Sequence, residues 1–189
     1  MHINLNHQRR ITMINIYTDG ACSSSDKTGG WAIVVDGLEH LIMRPRSMPF
    51  EHMLEYIIRQ PPRYIYYGYK QDTTNNEMEL MAMRMAVWFA TTQLPNEHVT
   101  IYTDSAYIAN CFRDKWYKTW QQNGWRTSRK TPVEHQPLWQ TILDLYEQVS
   151  DRIAIQHVKS HSTNEPNNLA DQYAVSARLQ LREWLAKQE

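Results

Sequence analysis

The sequence predicts an α/β fold: a five-stranded mixed sheet flanked by helices on both faces. Two observations carry this. Short runs rich in β-branched and aromatic residues recur at 13–19, 31–35, 63–69, 99–103 and 153–158, bounded by turn-forming residues. Between the later runs lie segments with apolar residues at helical spacing, so the order reads βββαβααβα. Successive strands at the start imply hairpins, alternation with helices implies parallel crossovers, and together they give a mixed sheet.

The first strand, 13–19, ends at Gly20, and a serine- and glycine-rich turn through Gly30 leads to the second strand, Trp31–Val35. Segment 36–62 reads as an insertion. Ser47-Met48-Pro49 looks like a helix start, and Phe50, Met53, Leu54, Ile57 and Ile58 follow at helical spacing, which predicts a helix over 49–59 closed by Pro61-Pro62. Arg63–Tyr69 is the third strand. After the cap-rich Asp72–Asn76, residues Met78, Met81, Ala82, Met85, Ala86 and Phe89 mark a buried helix. Val99–Thr103 is the fourth strand, and Ser105 to about Trp116 another helix. Over 115–132, Trp116, Trp120 and Trp125 interleave with Lys115, Lys118, Arg126, Arg129 and Lys130, a basic, aromatic protrusion. A helix over 138–149, the fifth strand 153–158, a polar loop 159–168 and a closing helix 169–187 complete the chain.

Composition narrows the function. The 189 residues suit one domain over 13–189 after a short polar tail, 1–12, with Met13 offering a second translation start. Twenty basic and 20 acidic side chains cancel, so any nucleic-acid contact rests on local patches. Cys22 and Cys111 form no CxxC pair, which argues for a reducing, cytoplasmic setting and against a cysteine zinc site. No apolar run approaches the ~20 residues of a spanning helix, so no membrane role is expected, and the chain is expected to act as a monomer.

Four acids stand out by position. Ile16-Tyr17-Thr18-Asp19 and Ile101-Tyr102-Thr103-Asp104 are two strands that each end on an aspartate. Side by side and parallel, they place both carboxylates at one sheet edge, where α/β sites form. Glu79 and Asp171 fall in the expected first turns of two helices. An acid there also suits the helix dipole, and Asp104 also suits a helix cap. The joint pattern favours convergence, and four carboxylates together need cations. Mg²⁺, with Mn²⁺ as a substitute, prefers such oxygen ligands, and a two-ion site clamps a phosphodiester. His161, in the polar loop ahead of Asp171, is placed to move protons near neutral pH.

These residues resemble ribonuclease H, type 1, over roughly 13–187. The motifs are Tyr-Thr-Asp-Gly-Ala-Cys at 17–22, Gly29-Gly30, Thr73-Thr74-Asn75-Asn76 followed by Met78-Glu79-Leu80-Met81-Ala82, and Tyr-Thr-Asp-Ser at 102–105. Gly124-Trp125-Arg126-Thr127, Val158-Lys159, His161, Asn167 and Asp171 continue the match. The resemblance implies the ribonuclease H-like fold. It also implies an endonuclease that cuts the RNA strand of an RNA–DNA hybrid with two divalent ions, leaving 5′-phosphate and 3′-hydroxyl ends. Asp19, Glu79, Asp104 and Asp171 match the metal-binding acids, and His161 the loop histidine of proton transfer or product release. Cys22, Asn75 and Asn76 match minor-groove contacts, and Thr74 a DNA-phosphate contact. Trp116 and Trp120 match apolar surfaces for deoxyribose; Trp125, Lys130 and Asn167 join the expected substrate contacts.

The chain also departs from the family pattern. Ser25 takes the place of a frequent asparagine among these contacts, Glu77 that of a basic residue, and Ala106 that of a glutamine. Gln121, Gln122 and Asn123 thin the charge of the protrusion. These changes predict weaker hybrid binding with the chemistry intact. Two other readings share parts of the pattern. Another nuclease of the wider superfamily is disfavoured by Asn75-Asn76 and the tryptophans; a non-catalytic hybrid-binding module is disfavoured by the four intact acids.

Overall fold

A computed structural model describes residues 13–38, 56–60 (backbone only), 62–159 and 163–188. Its elements are β1 (Ile14–Cys22), β2 (Gly29–Asp36), β3 (Tyr56–Gln60), β4 (Arg63–Lys70), α1 (Asn75–Thr92), β5 (Val99–Thr103), α2 (Ala106–Arg113), α3 (Trp116–Gln122), α4 (Gln136–Glu147), β6 (Ile153–His157) and α5 (Glu165–Ala186). They form one sheet in the order β3-β4-β2-β1-β5-β6. Pairing is antiparallel from β3 to β1 and parallel from β1 through β5 to β6.

All five expected strands form, and the sheet has a sixth, β3, at its edge. This corrects the helix expected over 49–59. Tyr56 to Arg59 are strand, paired with β4 in the register Tyr56↔Tyr67 to Gln60↔Arg63; residues 49–55 lie outside the described residues. The apolar spacing there fits a helix. However, Tyr-Ile-Ile is a β-favouring run, and only two residues separate Gln60 from Arg63, so hairpin pairing overrides the period.

Alternation along the strands divides the core between the two faces of the sheet. Ile14, Ile16, Trp31, Ile33, Val35, Tyr64 and Tyr66 join the cluster that contains α1 and the aromatic residues of α2, α3 and α4. Tyr17, Ala32, Val34, Ile65 and Tyr67 join Ala170, Ala174 and Ala177 of α5. The alanine face lets α5 lie close on β2: a Cβ at Gly30 would stand 2.1 Å from the Ala174 carbonyl oxygen. Helix α1 is buried nearly all round, as its Met- and Ala-rich pattern predicts.

Helix boundaries differ from expectation, by two residues at each end of α4 (Gln136–Glu147 against 138–149) and with more consequence elsewhere. Helix α5 starts at Glu165, because Asn164 caps it by accepting from the Asn167 amide at 3.1 Å. Asp171 therefore lies in the second turn. Glu79 is likewise the fifth residue of α1, past its first turn. Both acids have left the turn where a helix dipole alone would explain them. The helix expected from Ser105 to Trp116 is two helices, broken at Lys115 in the left-handed region (φ 55°).

Candidate active site

The register of the parallel pair builds the site. Tyr17 lies opposite Tyr102 and Thr18 opposite Thr103, so the next residues, Asp19 and Asp104, emerge side by side. The two tyrosine rings stack at 4.8 Å, and Thr18 Oγ1 donates to the Tyr102 carbonyl at 3.2 Å. Asp104 is not the cap of α2. That role belongs to Ser105, whose hydroxyl accepts from the Ile108 amide.

Glu79 arrives from one face of the sheet on α1 and Asp171 from the other on α5. The approach of α1 depends on Gly20: any Cβ there would lie 2.3 Å from the Glu79 amide nitrogen. Carboxylate oxygens of Asp19, Glu79 and Asp104 all lie within 4.8 Å of one another. Asp171 completes the wall of a cleft of about 330 Å³ lined also by Gly20, Asn75, Asn76, Ser105 and Asn167.

The cluster is electrostatically costly by itself. Burial first, then the charges of Asp104 and Asp171, push the Asp19 carboxyl up to about 8. Burial, then Asp19 and Asp104, push Glu79 well above the ordinary carboxylate range. Glu79 Oε2 and Asn167 Oδ1 are buried with no hydrogen-bond partner among the described residues. Orphaned oxygens beside clustered acids are the donor set of a hard divalent cation, so the residues fit such an ion.

The other expected contacts divide into three groups. Asn75, Asn76 and Asn167 line the cleft. Thr74 and Cys22 do not line it but join the start of α1: Thr74 caps that helix, and Cys22 Sγ contacts the Thr73 carbonyl at 3.3 Å, while exposed Ser25 bonds only Ser23 among the described residues. His161 lies outside the described residues. Trp116, Trp120, Trp125 and Lys130 belong to a second region. There Tyr107, Trp116, Thr119, Trp120, Asn123, Arg126, Thr127 and Ser128 line a groove of about 320 Å³. Trp120 is nearly buried and Trp116 half-buried, so Trp116 offers more surface. Trp125 packs on Trp120 at 6.3 Å, and exposed Lys130 gives its carbonyl to the Arg126 guanidinium at 2.8 Å.

Two histidines beside these residues were not singled out by sequence. His157 Nε2 lies 3.2 Å from the Asp104 carbonyl oxygen, and His135 Nε2 lies 3.4 Å from Thr74 Oγ1. The signal for His157 was its place at the C-terminal end of a strand parallel to β5. His135 carried none, since its contact depends on a left-handed backbone (φ 55°) before α4. Glu77 bridges Lys70 and Thr73. Burial alone would raise its carboxyl, but these partners outweigh it and hold it below its ordinary value.

A family model described as RNase H matches residues 12–178. The ribonuclease H of Thermoanaerobacter sp. (strain X514) is 34% identical over 165 residues, covering 87% of this chain and 89% of that protein. That of Chlorobium phaeobacteroides (strain BS1) is 37% identical over 171 residues, covering 90% and 96%. Among solved structures, LC9-RNase H1, a type 1 RNase H with the type 2 active-site motif, superposes with a TM-score of 0.63 over 88% of this chain and 72% of that one. Its identity is 22%, so that likeness is one of fold.

Proposed function

The chain belongs to the ribonuclease H family, and from that premise we propose that it is an endoribonuclease that hydrolyses the RNA strand of RNA–DNA hybrids. The observation that carries this reading is the meeting of Asp19, Glu79 and Asp104 just past the last parallel pair of β1 and β5, with Asp171 on the same cleft. Asp19, Glu79, Asp104 and Asp171 are the residues to hold two Mg²⁺ ions, or Mn²⁺ in their place. Ions held there would neutralise the acids and supply the charge that activates an attacking water and stabilises the leaving oxygen of a phosphodiester, the chemistry that gives 5′-phosphate and 3′-hydroxyl ends.

The remaining residues bind and orient. Asn75 and Asn76, exposed at the start of α1, offer amide donors and acceptors at the cleft rim. A minor groove is the fitting partner, since RNA shows its 2′-hydroxyls there. The groove of Trp116 and Arg126 takes the DNA strand, with rings against sugars and cations against phosphates. His161 carries the proton of the leaving group or assists product release. The two thiols, both free, suit the reducing cytoplasm.

The test is a gel assay on labelled hybrid, duplex DNA and duplex RNA, with Mg²⁺, Mn²⁺ or chelator. Metal-dependent cutting of the RNA strand of the hybrid alone is expected. Equal cutting of duplex DNA would move the chain to another chemistry of the fold, and binding without cutting would make it a hybrid-binding module.

A further inference from the structure

Glu77 places a negative charge beside the two asparagines of the cleft rim, where sequence alone predicts repulsion of phosphate. In the structure that charge has partners. One carboxylate oxygen meets the Lys70 ammonium at the end of β4, and the other accepts from Thr73 Oγ1 at 2.8 Å. The Glu77 amide donates to Thr74 Oγ1, the cap of α1, at 3.2 Å. Thr73 is itself tied down: its amide donates to the Lys27 carbonyl at 3.2 Å, and its own carbonyl accepts from Cys22 Sγ at 3.3 Å. Asn75 and Asn76 are thus the two residues between a fixed cap and a fixed carboxylate.

We propose that Glu77 is a positioning residue for hybrid binding: with Lys70 and Thr73 it braces the first turn of α1, so that Asn75 and Asn76 meet the nucleic acid already arranged. This rests on the hybrid-substrate reading above. A contact residue that must be ordered on binding subtracts that ordering from affinity, and a preformed one does not. The Glu77 side chain is only 18% exposed and that of Lys70 44%, so the pair is less screened than one fully in water. The brace and the repulsion reading predict opposite signs. If the acid merely repels phosphate, its removal tightens binding; if it braces the turn, its removal weakens binding.

The experiment is steady-state cleavage of one hybrid by wild type, Glu77→Gln, Glu77→Ala, Lys70→Met and the Lys70→Met/Glu77→Gln double variant, each with a thermal melt. KM is expected to rise about two- to fivefold in Glu77→Gln and in Lys70→Met, and further in Glu77→Ala, which also loses the Thr73 bond. Turnover should stay within about twofold, the mark of binding rather than chemistry. The double variant should be no worse than the worse single one, because both remove the same pair. A KM that falls in Glu77→Gln, or single effects that multiply in the double variant, would overturn the brace. Glu77→Gln keeps the α1 cap and a side chain that can still bond Thr73, so the sign of its KM change decides even where Glu77→Ala folds poorly. A wild type that leaves the hybrid uncut sinks the substrate reading and the brace with it. A wild type that cuts, with KM unchanged in both single variants, sinks the brace alone.

Discussion

The acid cleft and the aromatic groove are similar in size and opposite in design. The cleft is walled by carboxylates, amides, a hydroxyl and a glycine; the groove presents Tyr107, Trp116 and Trp120 with Arg126 at its side. Rings in the groove support one another, with Trp116 to Trp120 at 6.4 Å and Trp120 to Trp139 at 5.5 Å, and Trp139 Nε1 donates to the Tyr107 hydroxyl. The cleft has no such closure: its acids repel, and Glu79 Oε2 has no hydrogen-bond partner among the described residues. On the proposed function, the groove is built for grip and is complete on its own, while the cleft is built for chemistry and is held in tension until a cation joins it. Substitutions should therefore change stability with opposite signs in the two regions.

The largest effect is expected from Asp19→Asn. Losing the acid at the centre of the cluster should cut hybrid cleavage by about a thousandfold or more, the loss of several kcal/mol of charge stabilisation. Stability of the metal-free protein should move the other way. Asp19 in the folded state titrates at about 8, above the ~3.9 of an unfolded aspartate. Its bound proton favours the fold fully below pH ~4, and that contribution is lost as pH rises through about 8. Metal-free wild type should lose melting temperature across that window, and Asp19→Asn should lose less. At pH 8 the variant should melt higher, by about 2–4 °C for each kcal/mol of repulsion relieved. A melt in chelator at pH 5 and pH 8 checks both signs; a variant that melts lower at pH 8 removes the tension from the account.

The cleft was legible in the sequence, and the groove only in outline. Asp19 and Asp104 could be found because a repeated strand ending on an acid, together with one parallel pairing, fixes where the carboxylates go. Glu79 and Asp171 could be named without knowing their turn of the helix. The groove depends on backbone conformations that its residues do not announce. Lys115, Trp125 and Lys130 all take positive φ, a region that bulky side chains seldom enter and that carries no glycine signal. For that reason α3 was not separated from α2. Strand β3 was missed for another reason: local periodicity matched a helix, while the deciding contact, β4, lies across a turn. Glu77 was read with the wrong neighbours, since Lys70 is seven residues away in sequence and joined to it only by the fold.

Trp116→Ala should show the groove's side of the comparison. A half-buried ring that touches Tyr107 and Trp120 is removed, so the melting temperature should fall, in contrast to Asp19→Asn. KM for hybrid should rise about five- to tenfold with turnover nearly unchanged. Steady-state kinetics and a melt on the same preparation check this. A drop in turnover as large as that of Asp19→Asn would mean that the groove takes part in chemistry, and the division between the two regions would fail.

The smallest effect separates charge from packing within the groove region itself. Lys130 is exposed in the turn and is held through its backbone: its carbonyl accepts from the Arg126 guanidinium, and its amide donates to the Thr127 carbonyl at 2.9 Å. Lys130→Ala keeps that carbonyl, so the melting temperature should stay put. Its ammonium is free to meet a phosphate, and a phosphate contact releases counterions without reading sequence. The expected result is about a twofold loss of affinity, equal for hybrids of different sequence, and a salt dependence shallower by about one unit of slope. Binding measured over a series of salt concentrations tests this directly. An unchanged slope would leave Arg126 and the rings to supply the grip, and would confine the basic surface of this region to the groove wall.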